Sequence, residues 1–196
     1  MDPRQARTRR ALREAIHTLA TEGRIDQVTV ADVARAAGIT RDTFYRHAPT
    51  PVHLLADVLG EELDDTLRAH VNLPAESGSE LSVFDESERD LLRHVAEHAT
   101  IYRNAMQPRL VGPLRDALTE RIEAALRHHL DRHPQIAPPR EEGVDPERHV
   151  RMLVAYAGAG TVAAIEEWLR TGELDDIDAA ARTVIAASPA WWLGRR

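Results

Sequence analysis

The stretch from Thr29 to His47, TVADVARAAGITRDTFYRH, constrains the fold more than any other part of the chain. Val30, Val33, Ala34 and Ala37 fall on one face of a helix, and Gly38 stands where a left-handed residue commonly ends one. Thr29 has a side-chain oxygen suited to cap the first turn, with Val28 and Val33 placed as a hydrophobic staple. Thr40 then caps another helix, stapled by Ile39 and Phe44. Two short helices therefore meet across a tight glycine turn. Their inward residues are predicted to pack against a leading helix in which Leu12, Ala15, Ile16 and Leu19 follow the i, i+3, i+4, i+7 pattern before Gly23.

The rest of the chain is also read as helix. Thr50-Pro51 opens a fourth helix carrying Leu54, Leu55, Val58, Leu59 and Leu63, which fades near Leu73-Pro74. Residues 74–83 are predicted as loop, and a fifth helix from about Asp85 to about Gln107, with Glu88 in position to reach back to its start. Leu114, Leu118, Ile122, Leu126 and Leu130 resume the period, 134–146 is a Pro-rich loop, and two more helices are expected at 147–170 and 177–187. No segment alternates as a strand does, so the fold class is all-α. A DNA-binding-sized domain over 1–50 and a larger helical one over 51–196 are expected.

With 196 residues, 43% hydrophobic and 29% charged, the composition is that of a packed globular chain rather than a disordered or membrane-embedded one. The basic start lacks the apolar stretch of a secretory signal, which predicts a cytoplasmic protein with no membrane partner. The absence of cysteine excludes disulfides and thiolate chemistry. The net charge of -7 is unevenly spread: residues 1–47 carry nine Arg against six acids, and all else is acidic. Every basic residue is Arg, whose planar fork suits phosphates and guanine edges. A polyanion can bind only at the N-terminal end, where Arg7, Arg9, Arg10 and Arg13 crowd the first helix.

The paired short helices have the spacing of a helix-turn-helix, whose second helix enters a DNA major groove. That arrangement leaves Arg41, Asp42, Tyr45, Arg46 and His47 outward; Arg41 can pair with guanine and Asp42 can accept from cytosine. The run 29–47, with the helix before it and LLADVL (54–59) after it, resembles the TetR family of bacterial transcriptional regulators. The resemblance implies that Thr29, Tyr45 and His47 contact the DNA backbone or its vicinity, and that Thr40, Arg41, Asp42 and Thr43 face base edges. Ala48 and Pro51 depart from it, standing where the family commonly has an aromatic residue and a phosphate-contacting Lys. The Arg7 to Arg13 cluster is expected to compensate.

Beyond residue 60 the resemblance implies a second helical domain with a small-molecule cavity and a homodimer seam built from the last two helices. HVAEHATIYRNAM (94–106) and AYAGAGTVAAIEEWLRTG (155–172) look like segments of such regulators. Candidate cavity residues are Tyr102, Arg103, Met106, Leu110, Leu114, Tyr156 and Trp168; candidate dimer residues are Ala159, Val162, Ile165, Leu169, Ile177 and Val184. The implied protein is a homodimeric repressor released from a palindromic double-stranded DNA operator by an effector. The competing reading is a helical sensing module whose degenerate helix-turn-helix does not touch DNA.

Other motifs carry less. Gly158-Ala159-Gly160-Thr161-Val162-Ala163 spells G-x-G-x-x-A but follows a helical stretch rather than a strand, so no dinucleotide cofactor is expected. His94/His98 and His129/His133 are spaced i, i+4, and read as solvated faces rather than metal pairs. No phosphate-cradling loop, nucleophile elbow or H-E-x-x-H is present, and the chain is read as a non-enzyme without a cofactor. Trp191 and Trp192 are expected as a latch or as part of the seam.

Overall fold

The computed structural model describes residues 3–71, 80–132, 134 and 137–187. The fold is all-α: α1 (Pro3–Glu22), α2 (Val30–Ala36), α3 (Arg41–Tyr45), α4 (Pro51–Val71), α5 (Glu80–Glu97), α6 (Ala99–Asn104), α7 (Gly112–Arg132), α8 (Pro146–Thr171) and α9 (Ile177–Ala187). A single 3-10 turn, Ile25–Gln27, joins α1 to α2. Among the described residues no helix is long and apolar enough to cross a membrane.

The chain forms two compact units, one of Met1–Glu62 with His98–Ala117 and one of Leu63–Glu97 with Leu118–Arg196. In the first, Leu12, Ile16, Ile25, Val33, Phe44, Leu55, Leu59, Ile101, Tyr102 and Leu114 are buried. Helix α1 packs on α2 and α6, and α2 on α3. Its last turn is closed by α6, where Asn104 Nδ2 donates to the carbonyl oxygens of Ala20 and Thr21 at 2.9 and 3.0 Å. These carbonyls belong to the group a helix C-terminus leaves without an intrahelical partner.

In the second unit α9 packs on α5 and α8. Leu126, Leu130, Val154 and Ala157 form a buried cluster between α7 and α8, flanked by Ile122, Ala137 and Val150. Asp145 caps α8 by accepting from the Arg148 N–H at 2.8 Å, Pro146 occupies its first turn, and Gly172 ends it at φ 80°.

The middle of the chain differs from expectation. Helix α5 starts at Glu80, so Glu88 lies beyond the first turn and does not reach back to it. The single helix expected to reach Gln107 is two: α5 ends at Glu97, and His98, at φ -105° and ψ 19°, precedes α6. The break falls where the chain leaves one unit for the other. Leu91, Leu92 and Val95 serve one core and Ile101 and Tyr102 the other, so an unbroken period in sequence does not make one helix. His94 and His98 consequently do not share a helical face. His133, residues 74–79, Trp191 and Trp192 lie outside the described residues, as does the side chain of His129.

Candidate nucleic-acid interface

The two short helices are fixed by their caps. Thr29 Oγ1 accepts from the Asp32 N–H at 3.2 Å while Asp32 Oδ2 accepts from the Thr29 N–H at 3.1 Å, a reciprocal capping box. The Thr29 hydroxyl and N–H, with Arg35 beside them, hold the Asp32 carboxyl below the usual carboxylate range. Gly38 adopts φ 65° and Ile39 N–H donates back to the Ala34 carbonyl at 2.9 Å, which closes α2. Thr40 Oγ1 then accepts from the Thr43 N–H at 3.1 Å and starts α3.

With α3 so fixed, Phe44 is wholly buried and Tyr45, its neighbour, is 60% exposed, its ring edge-on to Phe44 at 5.8 Å. Arg41, Asp42 and Arg46 are exposed, whereas Thr43 and His47 are half-buried. Arg46 Nη2 donates to Thr43 Oγ1 at 3.0 Å, and Arg46 Nη1 lies 3.9 Å from the Asp42 carboxylate. Arg41 has neither a hydrogen bond nor an ion pair among the described residues, so its full donor set faces outward. Thr29, Thr40 and Thr43 are differently placed, since all three hydroxyls already take part in local hydrogen bonds.

The arginines of α1 do not form one set. Among the described residues Arg7 is exposed without a partner, and Arg10 is exposed with only a loose approach to Glu14 at 3.9 Å. Arg9 and Arg13 are instead drawn to Glu61 on α4, at 3.2 and 2.7 Å. Arg9, grouped with Arg7 and Arg10 in the sequence, must therefore release a carboxylate before it can meet phosphate. Nothing local to α1 signals this, because Glu61 follows 52 residues later.

Ala48 and Pro51 are both buried. Thr50 caps α4, its Oγ1 accepting from the His53 N–H at 3.3 Å and its carbonyl from the Leu54 N–H at 3.0 Å, with Pro51 in the first turn. The two departures thus serve packing and helix initiation.

The candidate cavity residues are distributed over both units. Tyr102, Leu110 and Leu114 are buried, Met106 is half-buried and Arg103 exposed, all in the first unit. Trp168 is half-buried in the second, where Tyr156, expected in the interior, is 76% exposed. The dimer candidates need a similar correction: Val162, Ile165 and Leu169 are buried inside their own unit, Ile177 and Val184 are half-buried and Ala159 is exposed. Helix α8 is apolar on several sides, and burial selects the Val162 side for the interior. Met152, Ala155, Tyr156, Ala159 and Ala163 face outward.

Comparison with known proteins agrees with this geometry. Residues 12–58 match the family model described as bacterial regulatory proteins, tetR family. An uncharacterised helix-turn-helix-type transcriptional regulator of Mycobacterium tuberculosis is 39% identical over 59 residues, 30% of this chain and 31% of the relative's length. Over nearly the whole chain the fold is similar to that of RolR in complex with resorcinol, at TM-score 0.62, 23% identity and coverage of 93% of this chain and 89% of that one. It is also similar to the R. erythropolis transcriptional repressor QsdR, at TM-score 0.56 and 18% identity, covering 98% and 97% of the two chains.

Proposed function

We propose that this chain, whose residues 12–58 match the model of the tetR family of bacterial regulatory proteins, is a homodimeric repressor that leaves a palindromic operator when a small molecule binds. The exposed guanidinium of Arg41 in the first turn of α3, without a partner among the described residues, carries the DNA reading. In a major groove Arg41 pairs with the O6 and N7 of a guanine, and Asp42 accepts from a cytosine amino group. Tyr45, Arg46, Arg7 and Arg10 meet phosphates, which position the protein without reading sequence. Ala48 and Pro51 leave the phosphate role to Arg7 and Arg10.

A second copy covers the outward Met152, Ala155, Tyr156, Ala159 and Ala163 of α8, whose small residues allow close helix approach. Two-fold pairing presents two α3 helices, so the operator is an approximate palindrome. Its likeness to QsdR, a named repressor, and to RolR, determined with resorcinol, supports repression and a small-molecule effector. Helices α4 and α7 each run without a break from one unit into the other, and so offer covalent routes for the signal. A coupling of about 1–3 kcal/mol weakens DNA binding some 5- to 150-fold.

A mobility-shift assay on DNA upstream of the protein's own gene tests the proposal. Retarded DNA whose affinity falls steeply with salt is expected, through counterion release. Arg41→Ala is expected to lose about 1–3 kcal/mol of discrimination at one base pair. Failure to retard this DNA at any salt concentration, or unchanged selectivity of Arg41→Ala across operator variants, overturns the proposed DNA contact.

A further inference from the structure

Three side chains of the first unit come together away from α3. His17 on α1, Glu62 on α4 and His98 just before α6 offer ligand atoms that all lie within 4.8 Å of one another. His17 Nε2 is 3.0 Å from Glu62 Oε1, and His98 Nε2 is 3.4 Å from Glu62 Oε2. The imidazole centroids are 5.6 Å apart and their planes inclined at 56°. All three are largely enclosed, with side chains 22–25% exposed.

We propose that His17, Glu62 and His98 bind one divalent first-row transition-metal ion, of which zinc is the natural probe. Two neutral imidazoles and a carboxylate are a donor set such ions favour. Zinc–nitrogen and zinc–oxygen bonds of about 2.0–2.2 Å place neighbouring ligand atoms about 3.4 Å apart in a tetrahedron. The His98 contact to Glu62 at 3.4 Å has that spacing and the His17 contact, to the other carboxylate oxygen, is shorter at 3.0 Å, so the ion needs only modest shifts of the two rings and the carboxylate, and water completes its sphere. Arg13 Nε lies 3.8 Å from Glu62 Oε1 but its Nη2 is committed to Glu61 at 2.7 Å, which leaves the Glu62 carboxylate oriented between the two imidazoles. His17 belongs to neither i, i+4 pair visible in the sequence, and His98 joins the group without His94, its partner at that spacing. The ligands come from three separate elements, and the bound ion would fasten α1, α4 and the start of α6 together. This inference does not depend on the DNA reading.

The test titrates the full chain, first stripped with a chelator, with zinc chloride and separately with cobalt(II). We expect one equivalent bound per chain, cobalt absorption bands characteristic of mixed nitrogen and oxygen ligation, and a metal-dependent rise in melting temperature. His17→Gln, Glu62→Gln and His98→Gln are each expected to weaken uptake by more than about tenfold, a loss that even outer-sphere changes produce. Glu62→Gln keeps side-chain length, and circular dichroism establishes that it folds. The proposal is overturned if the unsubstituted chain binds no stoichiometric metal or gives only the spectrum of aqueous cobalt. It is equally overturned if folded Glu62→Gln keeps full affinity.

Discussion

The three-helix region at the N-terminus and helix α8 are both rich in apolar residues, yet only the first displays its inner and outer faces in its sequence. Between Thr29 and His47 the apolar residues recur at helical spacing with Arg, Asp or Thr between the groups, and two caps fix where each helix starts. One rotation about each axis buries Phe44 and exposes Arg41. In α8 the run MLVAYAGAGTVAAIEEWL has apolar residues on every side, so several rotations satisfy it equally well. A function written in short-range polarity contrasts can be read locally; one resting on a uniformly apolar helix requires the packing.

The sharpest way to break this contrast is to remove the anchor of the first region. Phe44→Ala is expected to cost about 3–5 kcal/mol in urea unfolding, as a large-to-small change in a filled core. Met152→Ala on the outward side of α8 should stay within about 0.5 kcal/mol in dilute protein. Equal losses would mean that α8 is as tightly packed on that side as α3 is on its inner one.

Next in size is a pH effect confined to the second unit. Glu88 has a buried Oε1 without a hydrogen-bond partner among the described residues, and desolvation pushes its carboxyl up to about 7 from an ordinary 4.5. The folded chain then holds a proton that the unfolded chain has lost between those values. Stability therefore falls as pH rises through that interval and levels off above it, by about 3 kcal/mol in all. Glu88→Gln should flatten the profile. A profile unchanged by the substitution would show that this carboxyl ionises freely in the folded protein.

Two glycine substitutions of opposite sign complete the comparison. Gly38→Ala meets no atom within 4 Å but must adopt φ 65°, which costs an L-residue about 1–2 kcal/mol. Gly160→Ala also meets nothing within 4 Å, lies in an ordinary helix, and should stabilise the dilute chain by about 0.5–1 kcal/mol. Thermal unfolding reads both. A Gly160→Ala loss that deepens with protein concentration would place a second copy against that face.

The sequence was most informative where causes are short-ranged. The caps at Thr29, Thr40 and Thr50, the stop at Gly38 and the exposure of Arg41, Tyr45 and Arg46 all depend on neighbours within four residues. Illegible features depend on residues far apart. Glu61 diverts Arg9 and Arg13, Glu62 meets His17 across 45 residues, and the break at His98 reflects passage between two cores. Periodicity reports that a residue is apolar and helical; it does not report which interior receives it.

The amide of Asn104 gives the first unit an architectural dependence. By donating to the final carbonyls of α1, it lets a residue from late in the chain finish a helix begun at its start. A fragment cut after α4 would keep every motif by which the DNA reader is recognised and still leave that helix end exposed to water. The reader is thus not a detachable module: its completion waits until the ribosome has delivered the segment some eighty residues downstream.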